Sequence, residues 1–117
     1  FMEQSMETVE SKLMSFVTAD LICQSHLDKT LSTWDSIIND MEKEFVKSKV
    51  IRHTVTKIWN KDGIYRIGFL WEYPDHESYL KTQVLIKEVK KRFEKETNLP
   101  VKNYPNRGIV MSDKVFS

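Results

Sequence analysis

Tyr65, Ile67, Phe69, Trp71 and Tyr73 recur at every second position with Arg66 and Glu72 between them, so one row of large apolar side chains shares a face of a β-strand. The strand stops at Pro74, which has no backbone donor. Asp75 then caps a helix whose early carboxylate, Glu77, complements the positive end of the helix dipole. The helix runs from Asp75 to about Thr97, with Tyr79, Ile86, Val89 and Phe93 as its inward stripe and mostly Lys, Arg and Glu on the other side. Asn98-Leu99-Pro100 ends it.

Upstream, Phe16 to Cys23 is short, apolar and rich in β-branched and aromatic residues, which predicts a strand beginning near Leu13. Ser25 is a suitable N-cap, with Asp28 three positions later. Leu27, Leu31, Trp34, Ile38, Met41 and Phe45 follow at spacings of four and three, the pattern of one continuous core-facing helix of about five turns. Lys47-Ser48-Lys49 closes it, and Val50 to Trp59 forms a second strand.

Asn60-Lys61-Asp62-Gly63 joins that strand to the aromatic one, and the Asp-Gly pair suits a two-residue type I′ turn with Lys61 opposite Ile64. Extended along the hairpin, this register sets Trp59 opposite Arg66, His53 opposite Glu72, Thr54 opposite Trp71, Thr56 opposite Phe69 and Arg52 opposite Tyr73. A four-residue loop would instead oppose Lys57 to Arg66, a like-charge contact. A last strand lies within Val101 to Met111, a second short one follows toward Val115-Phe116, and Tyr104-Pro105-Asn106-Arg107-Gly108 interrupts the region.

The resulting order, β-α-β-β-α-β, is the ferredoxin-like α+β motif: an antiparallel sheet with two helices on one face. It fills a single domain over residues 13–117, after a flexible segment or expression remnant at residues 1–12. Phe1 precedes three methionines, Met2, Met6 and Met14, each a candidate natural start.

Composition narrows the function classes. Eighteen basic against seventeen acidic residues leave a net charge of +1, too weak a field to steer the chain to nucleic acid or an anionic membrane. The single cysteine, Cys23, excludes an intrachain disulfide and a cysteine-rich zinc site, which fits a cytoplasmic protein; it reads as a buried small hydrophobe. No apolar run approaches the roughly 20 residues of a membrane span, and the start has no signal-peptide pattern. His26, His53 and His76 are too widely spaced for a metal motif, and only three glycines are present, with no phosphate-cradling loop. No cofactor is expected.

The segment from Val50 to Met111, in which an aromatic strand ends in Trp71-Glu72-Tyr73 and runs into Asp75-His76-Glu77-Ser78-Tyr79-Leu80, resembles the dimeric α+β barrel superfamily, which includes antibiotic-biosynthesis-monooxygenase-like proteins and haem-degrading monooxygenases. The resemblance implies a homodimer with sheets packed face to face and a small-molecule cleft between each sheet and its own helices. Haem-degrading members carry a haem-ligating histidine in the later turns of the second helix. Leu80 to Asn98 contains none, and His76 lies at the start of that helix.

Within such a cleft Phe69, Trp71 and Tyr73 would pack a small organic ligand, with Thr54 and Arg52 as polar contacts from the hairpin. His53 opposite Glu72 would form an oriented acid/base pair, making His53 and Arg52 the catalytic candidates. Each has a plainer reading: aromatic residues at strand spacing are mostly core, and a cross-strand His–Glu pair stabilises a sheet without any reaction. Arg66 beside Trp59 is a candidate cation–π pair, Asp20 a carboxylate in need of a partner, and Tyr104 with Arg107 a closure over the cleft.

Val55, Trp59, Leu70 and Ile51 fall opposite the aromatic row and predict an apolar face that a second copy covers. The expected function is binding, with oxidation or isomerisation as the candidate chemistry, of a small organic molecule in a dimer. A non-enzymatic ligand-binding or stress-related dimeric module is the alternative. RNA binding ranks third: Gly68-Phe69-Leu70 matches the middle of the third-strand motif of RNA-recognition domains, while Tyr65, Arg66 and Glu72 depart from it.

Overall fold

The computed structural model describes residues 12–117, so the expected N-terminal segment lies outside the described residues except for Lys12, whose backbone already bonds Tyr73 and Val110. The elements run β1 (Leu13–Leu21), α1 (Gln24–Asp40), α2 (Glu42–Ser48), β2 (Arg52–Lys57), β3 (Tyr65–Tyr73), α3 (His76–Thr97) and β4 (Lys102–Ile109). The four strands form one antiparallel sheet in the order β2-β3-β1-β4. Non-sequential neighbours β3 and β1 at its centre are what the ferredoxin-like order requires. Among the described residues no helix is long and apolar enough to cross a membrane.

Alternation decides the two faces. Ser15, Ala19 and Leu21 of β1 and Ile67, Phe69, Trp71 and Tyr73 of β3 are buried beneath the helices. From above, Leu27, Trp34 and Ile37 of α1, Phe45 of α2, and Ile86, Val89 and Phe93 of α3 complete the core. The Asp75 carboxylate accepts the Ser78 N–H at 2.8 Å, the expected cap on α3, and Asn98 ends that helix in the left-handed region at φ 51°, a conformation asparagine tolerates.

The expected single helix is two. Met41 leaves helical geometry at φ −104°, ψ 16°, and α2 sets off in a new direction from it. The bend lets α2 dock on α3 through small polar side chains: Ser78 Oγ donates to the Ser48 carbonyl at 2.7 Å, and the Thr82 hydroxyl lies 3.0 Å from Ser48 Oγ. All three residues are buried, and their hydroxyls are satisfied within the contact, as burial demands. At the other end the N-cap is Cys23 and not Ser25; Cys23 is half-buried, its Sγ 3.3 Å from Ser25 Oγ, rather than a core residue. The buried stripe also turns by one position in α1, to Thr30, Thr33 and Ile37, leaving Leu31 and Ile38 at its margin.

The hairpin register differs from expectation by one residue. Arg52 pairs with Glu72, His53 with Trp71, Thr54 with Leu70, Val55 with Phe69 and Thr56 with Gly68. The reason lies in the turn. A type I′ turn needs positive φ at both central residues, but Gly63 has φ +73° while Asp62 is not among the positive-φ residues, and the turn closes from Ile64 N–H to the Lys61 carbonyl at 3.4 Å. A one-residue slip transfers every β2 side chain to the other face.

His53 and Val55 therefore lie on the helix side, and Ile51, of the same parity, is there as well. Trp59 lies beyond the strand at 88% exposure. Of the four residues expected on the open face only Leu70 remains there. That face instead carries Met14, Phe16 and Leu70 at its centre, Phe16 directly opposite Leu70. Ion pairs flank this centre on both sides, Arg52 with Glu72 at 3.8 Å and Arg66 with Asp20 through two hydrogen bonds. Asp20 thus has its partner, whose hydrogen bonds hold the carboxyl below its usual range. The Arg66 guanidinium stands 5.9 Å from the Tyr104 ring centre, not beside Trp59.

β4 is continuous through Tyr104-Pro105-Asn106-Arg107-Gly108, where an interruption was expected, and residues 110–117 form no further strand. Pro105 fits because β4 is an edge strand, where a missing N–H costs no ladder bond.

Candidate functional site

A cleft of about 300 Å³ opens between the helix-side face of the sheet, α1, α3 and β4. Its origin is a mismatch of side-chain size along the sheet. On β3 the inward positions are large, but in the middle of β1 they are Ser15, Val17 and Ala19, and the helices cannot close over so low a floor. β4 continues the floor to the sheet edge with Asn103, Pro105 and Arg107, each the cross-strand partner of one of those small residues.

The inner wall is aromatic. Trp34 meets Phe69 edge-on at 4.9 Å and Phe93 at 6.3 Å between ring centres, favourable geometries for aromatic pairs. Behind it, His53 lies flat on Trp71, ring centres 3.5 Å apart and planes 11° from parallel, and Phe45 stacks on Trp71 at 5.3 Å. Trp34 Nε1 donates to His53 Nε2 at 3.0 Å, so the imidazole proton sits on Nδ1, which faces the Leu70 carbonyl at 3.0 Å. Burial pushes the His53 pKa down to about 4, against the pull of the Leu70 carbonyl. The ring is a neutral strut whose two nitrogens are both engaged.

Polar groups gather at one end. The Tyr73 phenol is driven up to about 12 by burial, against the opposing influence of Ser15, Gln83 and the Arg107 charge, and Gln83 Nε2 donates to its oxygen at 3.3 Å. Arg107 lies 5.7 Å from the Tyr79 ring centre. Lys90 and Glu94 border the cleft further along α3.

The predicted site residues separate. Phe69 and Trp71 line the cleft, and Tyr73 reaches it only through its hydroxyl neighbours. Thr54 is on the opposite face of the sheet. Arg52 and His53 border a second, shallower depression of about 180 Å³ between β2 and the α1–α2 bend, with Trp71 forming part of both walls. The expected pairing of His53 with Glu72 is replaced by the stack on Trp71, because the register places His53 opposite that residue. Arg107 borders the cleft as expected, whereas Tyr104 faces away from it.

Sequence reasoning missed Ser15, Val17, Ala19, Trp34 and Gln83. The visible signal was the run of small residues alternating on β1. Among the described residues no three His, Cys, Asp or Glu side chains come together as a metal site.

A family model described as a domain of unknown function (DUF6974) matches residues 10–110. No curated protein matches the chain. Among solved structures, a dimeric ferredoxin-like protein from an uncultured marine organism aligns with TM-score 0.79 at 20% identity, over 90% of this chain and all of that one. A second protein of the same description, also from an uncultured marine organism, gives TM-score 0.77 at 27% identity, over 95% and 97% of the two chains. A monooxygenase of Streptomyces coelicolor in complex with nanaomycin D gives 0.67 at 9% identity, over 92% and 94%. The structural neighbours are thus dimeric ferredoxin-like and antibiotic-biosynthesis-monooxygenase-like proteins, in keeping with the sequence resemblance.

Proposed function

The chain belongs to the DUF6974 family of unknown function, and from its cleft we propose that it is a homodimer that binds a small, flat organic molecule between its sheet and helices. The observation that carries this reading is a cavity of about 300 Å³ with a small-residue floor, an aromatic wall and polar groups confined to its ends. That is the usual make-up of a small-molecule site, in which apolar area supplies affinity and a few polar groups set orientation.

Binding of a ligand by the Streptomyces monooxygenase of the same fold supports the reading and favours oxidation of the ligand as the second one. His53 contributes by holding Trp34 and Trp71 in place. With both ring nitrogens engaged it is poorly placed to carry protons, which ranks binding ahead of acid/base chemistry.

Screening by thermal shift against mono- and bicyclic aromatic compounds tests the cleft. A compound present at about 100 times its Kd stabilises by about 2.7 kcal/mol, a rise in Tm of about 10 °C for a domain of this size. Val17→Phe, which fills the floor, is expected to remain folded and to lose the shift. A wild type indifferent to every compound, or a shift surviving in Val17→Phe, would overturn the proposal. Oxygen consumption by the wild type with the best binder separates the oxidising reading from binding alone.

The homodimer is supported by the open sheet face, where Phe16 is 45% exposed beside Met14 and Leu70 and ion pairs rim the apolar centre, the composition of a protein interface. Light scattering is expected to give twice the 13.9 kDa chain mass for the wild type, and a monomer for Phe16→Glu. A monomeric wild type at micromolar concentration contradicts the dimer.

A further inference from the structure

Resting on the reading of the cleft as a ligand site, we propose that its ligand is an aromatic carboxylate held in one orientation, with Arg107 as the residue that selects the negative charge.

The sheet register divides the cleft into rows. Ser15 lies between Trp71 and Arg107, Val17 between Phe69 and Pro105, and Ala19 between Ile67 and Asn103. Because α3 leaves the Tyr73 end of β3 and runs back over the sheet, Gln83 stands above the first row, and Phe93 and Glu94 lie toward the last. The first row therefore concentrates hydrogen-bond donors and positive charge: the buried Ser15 hydroxyl, the Gln83 amide and the Arg107 guanidinium, close enough to Tyr73 for its charge to act on the phenol. The middle row offers only apolar surface.

Donors elsewhere on the wall are already committed. The indole N–H of Trp34 goes to His53, and the Thr30 hydroxyl goes to the His26 carbonyl at 2.8 Å. The Ser15 hydroxyl and the Gln83 amide are drawn to the Tyr73 phenol, so the donor left for a polar ligand group on this side of the cleft is the Arg107 guanidinium. Across the cleft, Lys90 has Glu94 one turn away on the same helix, so the two charges offset each other at that end. Among the described residues Arg107 makes no salt bridge, and its guanidinium lies against the Tyr79 face, which leaves its N–H edge available. A guanidinium matches the planar, two-oxygen geometry of a carboxylate. The flat aromatic walls favour a ring over a flexible chain, because a rigid body loses less conformational freedom on burial.

Calorimetric titration with 2-naphthoate, its neutral amide 2-naphthamide and decanoate tests the assignment. The wild type is expected to bind 2-naphthoate about tenfold more tightly than the amide, the scale of one charge-assisted hydrogen bond, and more tightly than decanoate. Arg107→Gln is expected to bring the acid down to the amide's affinity, with a much smaller loss for the amide, which forfeits only a neutral hydrogen bond. Equal wild-type affinity for acid and amide, or a preference surviving in Arg107→Gln, refutes the charge selection while the cleft remains a binding site. Decanoate binding as well as naphthoate refutes the aromatic requirement. If none of the three binds, the cleft reading itself fails and this inference fails with it.

Discussion

Lowering the pH from 7 to 4 is expected to remove about 3 kcal/mol of folding stability through His53 alone. In the folded chain the imidazole is largely withdrawn from water and its pKa is depressed from 6.5 to about 4. The unfolded chain therefore takes up the proton first as the solution is acidified. Between pH 6.5 and 4 the unfolded state binds more protons, so stability falls with pH, and below 4 the loss is complete. A protonated ring also has no lone pair on Nε2 for the Trp34 N–H, so acid breaks the contact that joins α1 to β2.

Urea titrations at several pH values separate this effect from that of the carboxylates when the wild type is compared with His53→Gln, which keeps an acceptor and a donor but does not titrate. The variant is expected to be somewhat less stable at pH 7, having lost the stack on Trp71, yet to lose about 3 kcal/mol less on acidification. Parallel pH curves for the two proteins would show that His53 is not the buried neutral group described above.

The second large effect concerns Trp71. It is 3% exposed, between His53 at 3.5 Å and Phe45 at 5.3 Å. Trp71→Ala should cost about 3–5 kcal/mol, the transfer energy of the ring plus the cavity it leaves. Trp59→Ala removes an equally large side chain from a position 88% exposed and should change stability by less than about 0.5 kcal/mol. Denaturant midpoints at unchanged slope measure both. A Trp71→Ala loss below 1 kcal/mol, or a larger one for Trp59→Ala, would contradict the packing described. Because Trp71 also walls the cleft, its removal is a poor probe of binding, whereas Val17→Phe acts on the cleft without opening the core.

These two residues show how the site came to be only half legible. Trp71 and Phe69 were identifiable from alternation alone, because a strand whose large apolar residues all fall on one parity declares which face is buried before its neighbours are known. The floor was not. Ser15, Val17 and Ala19 carry no chemistry as isolated side chains, and become a site only because β3 and the helices beside them hold larger groups that keep the space open. Arg107 was noticed on its loop-like surroundings, but it faces the cleft because β4 is a regular strand paired with β1, with Arg107 opposite Ser15.

The sequence by itself determined the order of elements, the buried parity of β3, the Asp75 cap with the full length of α3, and hence the ferredoxin-like fold. Each follows from contacts a few residues apart, where 2.0- and 3.6-residue periods and capping chemistry act. Tertiary structure alone decided the bend at Met41, which follows from α2 docking on Ser78 and Thr82, and the pairing of β2 with β3. The hairpin turn admits registers one residue apart, and local turn preference favoured the wrong one. The observed register turns His53 to the helix side, where its ring stacks on Trp71 and accepts the Trp34 N–H, and sets Arg52 opposite Glu72 on the open face. A single step along the strand turned an expected surface acid/base pair into a neutral ring wedged between two tryptophans.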